Sequence, residues 1–161
     1  MDRTVRYELD DKQTKIAVSL YRHLLWADNL RKQFENVLAR DRAELERRLQ
    51  TKEIVFDPKL LESEMYSSLW LGCLYSVIEG WSNLKVDVPR ITQLLKKGYK
   101  KKLFGFRNAV FHPVDYDDAR FHALAAEGQK SMDWAREITN EFKIFFESIL
   151  VFPSEEQTNE G

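Results

Sequence analysis

The chain has 161 residues, of which 43% are hydrophobic and 12% aromatic, enough to bury the core of one domain. With 25 basic and 26 acidic residues, the formal net charge of −1 indicates neither a nucleic-acid partner nor a membrane partner. Any such partner must be recognised by a local patch. The single cysteine, Cys73, excludes an intramolecular disulfide and a thiolate metal cluster, and favours a reducing compartment.

Two apolar features bear on localisation. The N-terminal residues MDRTVRYELDD lack the apolar core of a secretory signal, and the most apolar stretch, residues 69–78, is too short to span a bilayer. We therefore expect a cytoplasmic protein with no membrane partner.

A long amphipathic helix is predicted for residues 11–50. Apolar residues recur there every three or four positions, as on one face of a helix. They are Ile16, Leu20, Ala27, Leu30, Phe34 and Val37. We interpret the charged segment RDRAELERRLQ at its end as an exposed extension, and EIVF at residues 53–56 as a connector.

A second helix is predicted for residues 58–84, with Asp57 and Pro58 as its cap and first turn. Its segment SSLWLGCLYSVIEGW is apolar on nearly all sides, which is typical of the central helix of a bundle. Small residues recur at every fourth position, which allows a neighbouring helix backbone to approach closely. They are Ser68, Gly72, Ser76 and Gly80.

Glycine and proline delimit the remaining predicted helices. These helices are residues 88–97, 99–112 and 119–151. Gly98 suits the left-handed turn after a helix C-terminus, and Pro113 disfavours helical geometry at the residue before it.

The predicted fold is all-α, with a long N-terminal helix and a long C-terminal helix. We assign residues 1–152 to a single domain, and expect the polar tail, residues 153–161, to be disordered.

The segment FRNAVFHP, at the end of the fourth predicted helix, places three polar residues among apolar ones. On an ideal helix Asn108 and His112 share a face, whereas Arg107 lies about 140° away from His112. The long arginine side chain and the pre-proline position of His112 reduce that separation. A guanidinium, an amide and an imidazole can therefore converge on one anionic group.

This trio suits the cleavage of RNA by its own 2′-hydroxyl. The reaction needs a base for the 2′-hydroxyl, an acid for the leaving 5′-oxygen and a cation for the phosphoryl oxygens. Histidine serves as acid or base near neutral pH, and arginine binds two phosphate oxygens at once. Because one histidine does not easily perform both proton transfers, we expect a symmetric dimer that brings two copies of His112 together.

The same three residues also have a purely structural interpretation. Arg107 can extend to the surface, Asn108 can hydrogen-bond the helix end, and His112 can favour the negative end of the helix dipole.

The sequence R-N-x-x-x-H, present at residues 107–112 and followed by Pro113, resembles the signature of HEPN domains, the higher eukaryotes and prokaryotes nucleotide-binding superfamily. The segments LYSVIEGWSNL, DVPRITQLL and LFGFRNAVFHP with its acidic turn resemble the abortive-infection branch, over roughly residues 70–121. The resemblance implies a bundle of four or five helices and a homodimer with its active cleft at the interface. It also implies endoribonuclease activity on RNA without a metal or another cofactor.

Residue roles and partners follow from the same resemblance. It implies that Arg107 is the phosphate-binding cation, Asn108 a polar helper and His112 the general acid and base. Glu79 matches an acidic position of this branch, and we interpret it as a partner of Arg107, with a direct catalytic role as the alternative. Such proteins are often toxins or antiphage effectors paired with a nucleotidyltransferase-like antitoxin. Val114 occupies the position of the tyrosine that such partners modify, so neutralisation by tyrosine modification is not expected.

The lysine-rich segment KKGYKKK, residues 96–102, directly precedes the motif. We predict that it guides RNA phosphates, the alternative being a solvated helix start. The candidate RNA-binding residues are Lys97, Lys100, Lys101 and Lys102.

Two other hypotheses compete with a nuclease. One is a catalytically inactive HEPN-like helical dimer that acts as a protein- or nucleotide-binding module. The other is a purely structural bundle with a buried motif. The chain contains no Gly-rich phosphate loop, Ser-His-Asp set or paired-histidine motif, so neither nucleotide hydrolysis nor metal catalysis is predicted.

Overall fold

The structure, a computed structural model, describes residues 7–51, 58–112, 114–115 and 118–150. Within these ranges the chain is mostly helical and contains no strand. The helices are α1 Asp11–Thr51, α2 Pro58–Trp81, α3 Pro89–Leu95, α4 Tyr99–Phe111, α5 Ala119–Ala125 and α6 Gln129–Ile149, and a 3₁₀ turn, Ser82–Leu84, follows α2. The predicted all-α class is confirmed.

The C-terminal helix predicted for residues 119–151 is wrong as a single element. It is divided into α5 and α6 at Gly128, whose φ of 56° lies in the left-handed region that favours glycine. The Ser131 hydroxyl bridges the break by donating to the carbonyl oxygens of Leu124, at 3.0 Å, and Gly128, at 2.8 Å. These described residues therefore form six helices rather than four or five.

One hydrophobic core holds the bundle together. Its cluster of buried residues has members from all six helices. Trp81, at the end of α2, lies at its aromatic centre, with ring centroids 5.1 Å from Phe142, 4.9 Å from Phe145 and 6.2 Å from Phe146. α2 is thus the central helix that its apolar sequence predicts.

The small-residue face of α2 receives side chains from two different helices. A Cβ atom placed on Gly80 would lie 2.5 Å from Cδ2 of Leu20 in α1. A Cβ atom on Gly72 would lie 2.7 Å from Cε2 of Phe111 in α4. At these two glycines the space beside α2 is therefore filled by neighbouring side chains.

α4 runs antiparallel to α2. The Phe104 ring near its start lies 5.7 Å from Tyr75, whereas Phe111 at its end lies against Gly72, which is earlier in α2. The buried face of α4 anchors this helix in the core. That face consists of Leu103, Phe106 and Ala109.

Three predictions concern other parts of the chain. The connector at residues 53–56 and the tail at residues 153–161 lie outside the described residues. In the part that the structure describes, every helix is too short or too polar to cross a membrane.

Candidate functional site

The three polar residues of FRNAVFHP lie at the C-terminal end of α4. Arg107 and Asn108 are half-buried in its last turns, and His112 is exposed directly after it. Because the buried face of α4 points into the core, these residues lie on the side of the helix that water can reach. His112 is therefore not buried, whereas Arg107 and Asn108 are partly covered.

Arg107 and Asn108 are in direct contact. Nη1 of Arg107 donates a hydrogen bond to Oδ1 of Asn108 at 3.0 Å. Among the described side chains, no carboxylate pairs with Arg107. A guanidinium carries five N–H donors, and the bond to Asn108 is the one hydrogen bond that Arg107 forms with the described residues.

Tyr75 supports this guanidinium from α2. The Cζ atom of Arg107 lies 5.9 Å from the Tyr75 ring centroid, within the range of a cation–π interaction. Burial raises the pKa of the Tyr75 hydroxyl, the charge of Glu79 raises it further, and the charge of Arg107 opposes the shift. The phenol is therefore protonated at neutral pH and serves as a neutral platform.

Glu79 does not form the ion pair with Arg107 that the sequence predicts. Glu79 is exposed on α2, where water solvates its charge, and Tyr75 is the group that interacts with both residues. Within the described residues, Glu79 reaches the site only through Tyr75. We did not predict Tyr75 from the sequence, although its i, i+4 spacing from Glu79 places the two side chains on one face of α2.

His112 has left helical geometry, as its position before Pro113 predicts. Its φ of −125° and ψ of 134° are extended, and its backbone N–H donates to the Asn108 carbonyl oxygen at 3.0 Å. Its imidazole is exposed and makes no hydrogen bond to the side chains that the structure describes. The structure thus joins Arg107 to Asn108 but links His112 to them through its backbone alone.

The four predicted RNA-binding lysines divide into two pairs. Lys97 lies 3.5 Å from Glu137 of α6, and Lys102 pairs with Glu127. Lys100 and Lys101 are exposed and have no ion-pair partner among the described residues. The free cations of the segment are therefore Lys100 and Lys101, together with Lys96, which is also exposed and unpaired in this part of the chain.

Two of these three lysines, Lys100 and Lys101, line a cavity beside Tyr75, whose ring contacts Arg107. It is a shallow, widely open and mostly apolar surface depression of about 470 Å³, which we call the Phe104 cavity. Its lining residues are Tyr75, Gly98, Lys100, Lys101 and Phe104.

Large apolar side chains are exposed at the end of α4 and on α2. Phe111 is 51% exposed, and Met65 and Leu61 of α2 are 48% and 41% exposed. Met65 and Leu61 lie seven and eleven residues before Gly72, so by helix periodicity they share the face of α2 that Phe111 contacts at Gly72. We call Leu61, Met65 and Phe111 the apolar rim.

No protein-family model matches this chain, and neither does any curated protein or solved structure.

The arrangement suits a phosphate ester as its ligand. Arg107 offers a planar cation that no carboxylate of the described residues pairs with, and the exposed His112 imidazole can accept or donate a proton. Lys100 and Lys101 add positive charge nearby. They line a cavity together with Tyr75, and the Tyr75 ring also contacts Arg107. A single chain supplies only one imidazole in this motif.

Proposed function

We propose that this chain is a metal-independent endoribonuclease of HEPN type that cleaves RNA by transesterification. One observation carries the proposal. His112 is exposed on extended backbone directly after α4, beside an Arg107–Asn108 pair that no described carboxylate neutralises. Action as a toxin or antiphage effector, and neutralisation by a nucleotidyltransferase-like antitoxin, belong to the proposal through the resemblance alone.

The reaction divides its proton transfers between two protomers. His112 of one protomer removes the proton of the 2′-hydroxyl, whose oxygen forms a new bond to phosphorus. The bond from phosphorus to the 5′-oxygen breaks, and the partner subunit's His112 gives that oxygen a proton. The products are a 2′,3′-cyclic phosphate and a 5′-hydroxyl. Arg107 stabilises the charge on the phosphoryl oxygens, and Asn108 holds the guanidinium in place.

The apolar rim supports this assembly. Phe111 is adjacent to His112, and about half of its side chain is exposed in the single chain. Burial of such apolar area is the usual driving force for association. A two-fold axis close to the rim covers Phe111 and brings the two copies of His112 to one groove.

The test is an RNA cleavage assay in EDTA with single-stranded and transfer RNA. The wild-type protein is expected to leave 2′,3′-cyclic phosphate and 5′-hydroxyl ends, and His112→Ala to abolish cleavage. His122→Ala, which removes another exposed histidine, is the matched control and should cleave normally. Unchanged cleavage by His112→Ala, with a circular dichroism spectrum like that of the wild type, contradicts the mechanism.

A second candidate function is a catalytically inactive helical dimer that binds a protein or a nucleotide. It is favoured by the separation of the His112 imidazole from Arg107 and Asn108, which share no side-chain hydrogen bond with it. Binding of RNA, nucleotide or protein without cleavage at any enzyme concentration identifies this second function.

A further inference from the structure

The Phe104 cavity combines an exposed aromatic ring with two free cations. Phe104 is 46% exposed, whereas Leu103 and Phe106 on the same helix are 0% and 7% exposed. An exposed aromatic residue alone carries no meaning. Here it lines a cavity of about 470 Å³ together with the ammonium-bearing side chains of Lys100 and Lys101.

The Phe104 ring is supported on one side and open on the other. Its centroid lies 5.7 Å from that of Tyr75 at an interplanar angle of 44°, so the buried tyrosine supports it from the core. Nearly half of its surface still faces solvent. A ring that is supported on one face and exposed on the other can stack with a planar ligand.

Gly98 leaves the mouth of the cavity open. Its φ of 84° is a conformation that favours glycine, and a Cβ atom placed there would meet nothing within 4 Å. Gly98 therefore adds no side chain to the lining of the cavity.

The charges of the cavity select its ligand. Lys97 and Lys102 are paired with Glu137 and Glu127, but Lys100 and Lys101 have no ion-pair partner in the described chain. A ligand that presents a flat apolar surface between negative groups matches both features. Single-stranded nucleic acid is such a ligand, because bases stack on aromatic side chains while lysines hold the backbone phosphates.

We infer that the Phe104 cavity is a nucleobase subsite, in which one base of single-stranded RNA stacks on Phe104 and Lys100 and Lys101 bind the flanking phosphates. The inference rests on the proposed function, because it names how that substrate is positioned. Phe104 precedes His112 by eight residues, about 12 Å of helix rise, so the stacked base belongs to a nucleotide near the cleaved bond. Tyr75 contacts both Phe104 and Arg107, and thereby couples the subsite to the phosphate cation.

The experiment measures binding separately from cleavage. The probe is a fluorescein-labelled, mixed-sequence 2′-O-methyl oligoribonucleotide of about 12 nucleotides, whose blocked 2′-oxygens prevent transesterification. A matched oligomer with the same phosphates but abasic sugars reports on charge alone. Fluorescence anisotropy is recorded for the wild type, Phe104→Ala, Phe104→Trp and the double variant Lys100→Gln/Lys101→Gln, and sedimentation gives the oligomeric state of each.

The wild type should bind the base-carrying probe more tightly than the abasic probe. Phe104→Ala should weaken binding of the base-carrying probe by about 5- to 100-fold and remove the difference in affinity between the two probes. Phe104→Trp should restore that difference. The lysine variant should bind both probes more weakly, and its binding should depend less on salt concentration.

Several results overturn the inference: no binding by the wild type, equal affinity for both probes, or unchanged binding by Phe104→Ala. Loss of the dimer in Phe104→Ala, with base-independent binding by the wild type, assigns the ring to a protein interface instead. RNA cleavage with normal kinetics in Phe104→Ala would contradict the nucleobase subsite but not the proposed nuclease activity. Stacking-dependent binding without any cleavage would contradict the proposed nuclease activity but not the nucleobase subsite.

Discussion

Arg107 donates a hydrogen bond to the amide oxygen of Asn108, its neighbour in sequence, at 3.0 Å. A neutral amide orients the guanidinium without cancelling its charge. Asn108→Asp replaces that amide with a carboxylate, which forms a charge-assisted bond of about twice the strength and competes with phosphate. We expect kcat/KM for RNA cleavage to fall by at least about tenfold in Asn108→Asp.

Two controls accompany this prediction. Asn108→Ala removes the positioning bond but leaves the charge free, so its loss of activity should be smaller than that of Asn108→Asp. Arg107→Lys keeps the charge but loses the bidentate hydrogen bonding of the guanidinium, so its cleavage activity should also be reduced. Equal activity of Asn108→Asp and wild type would show that the pair does not bind the scissile phosphate.

The division of proton transfers between protomers predicts how mixed dimers behave. When wild-type and His112→Ala chains exchange subunits at equal concentration, about a quarter of the dimers carry two imidazoles. Cleavage should therefore fall to about a quarter of the activity of the same total protein as wild type, following the square of the wild-type fraction. A linear decrease to about half would place both proton transfers within one chain.

The apolar rim predicts a specific dimer-breaking substitution. Phe111→Asp places a charge on the surface that the proposed interface buries, so it should give a monomer by light scattering and lose cleavage. Ile144→Asp is the matched control, since Ile144 is 55% exposed but belongs to α6 and not to the rim. A dimeric Phe111→Asp protein, or a monomeric wild type, would contradict the interface.

Sequence patterns predicted the helices near the site well because those helices end at residues with strong local preferences. Gly98 takes the positive φ expected after a helix, and His112 takes the extended geometry expected before Pro113. Apolar periodicity was less reliable at the C-terminus. The periodicity continues on both sides of Gly128, so the break between α5 and α6 depends on one backbone angle rather than on hydrophobicity.

The interactions of the charged side chains could not be predicted in the same way. Lys97 and Lys102 are two of five similar lysines in residues 96–102, and only the folded positions of Glu137 and Glu127 decide which of them are paired. A lone carboxylate in an apolar helix predicts a partner such as Arg107 for Glu79, but exposure to water satisfies that carboxylate. Such pairings depend on the rotation of one helix relative to another.

Two identical substitutions on α2 should have different consequences. Gly72→Ala places a methyl group 2.7 Å from the half-exposed Phe111 ring, which can turn outward into solvent. The displaced ring should disturb the dimer and His112, whereas alanine's helix propensity, worth about 0.5–1 kcal/mol over glycine, maintains the stability of the chain. We expect reduced cleavage with little change in Tm.

Gly80→Ala provides the comparison for this prediction. Its methyl group would lie 2.5 Å from Cδ2 of Leu20, which is only 8% exposed and has no route into solvent. Overpacking of this kind costs about 1–3 kcal/mol, so Gly80→Ala should lower the free energy of unfolding. Thermal unfolding and cleavage assays on both variants separate the two effects, and equal Tm losses would contradict the role given to Phe111.

Asp118 gives the fold a defined sensitivity to acid. As the N-cap of α5 it accepts hydrogen bonds from the Arg120 side chain and backbone, which lower the pKa of its carboxyl from 3.8 to about 2. A carboxylate whose pKa is lower in the folded state stabilises that state above its unfolded pKa, and this contribution is lost as the pH falls through the folded value. α5 matters for the site because Cβ of Arg120 would lie 3.6 Å from a Cβ atom on Gly105 of α4.

The comparison with Asp118→Asn isolates this effect. Asparagine retains a capping oxygen but has no charge to titrate, and the other carboxylates contribute equally to both proteins. The stability difference between wild type and Asp118→Asn should therefore be constant from about pH 5 to pH 7, and should shrink as the pH falls from about 4 towards 2. Denaturant unfolding at a series of pH values measures it, and a difference that does not change over that range would show that the Asp118–Arg120 pair does not stabilise the fold in solution.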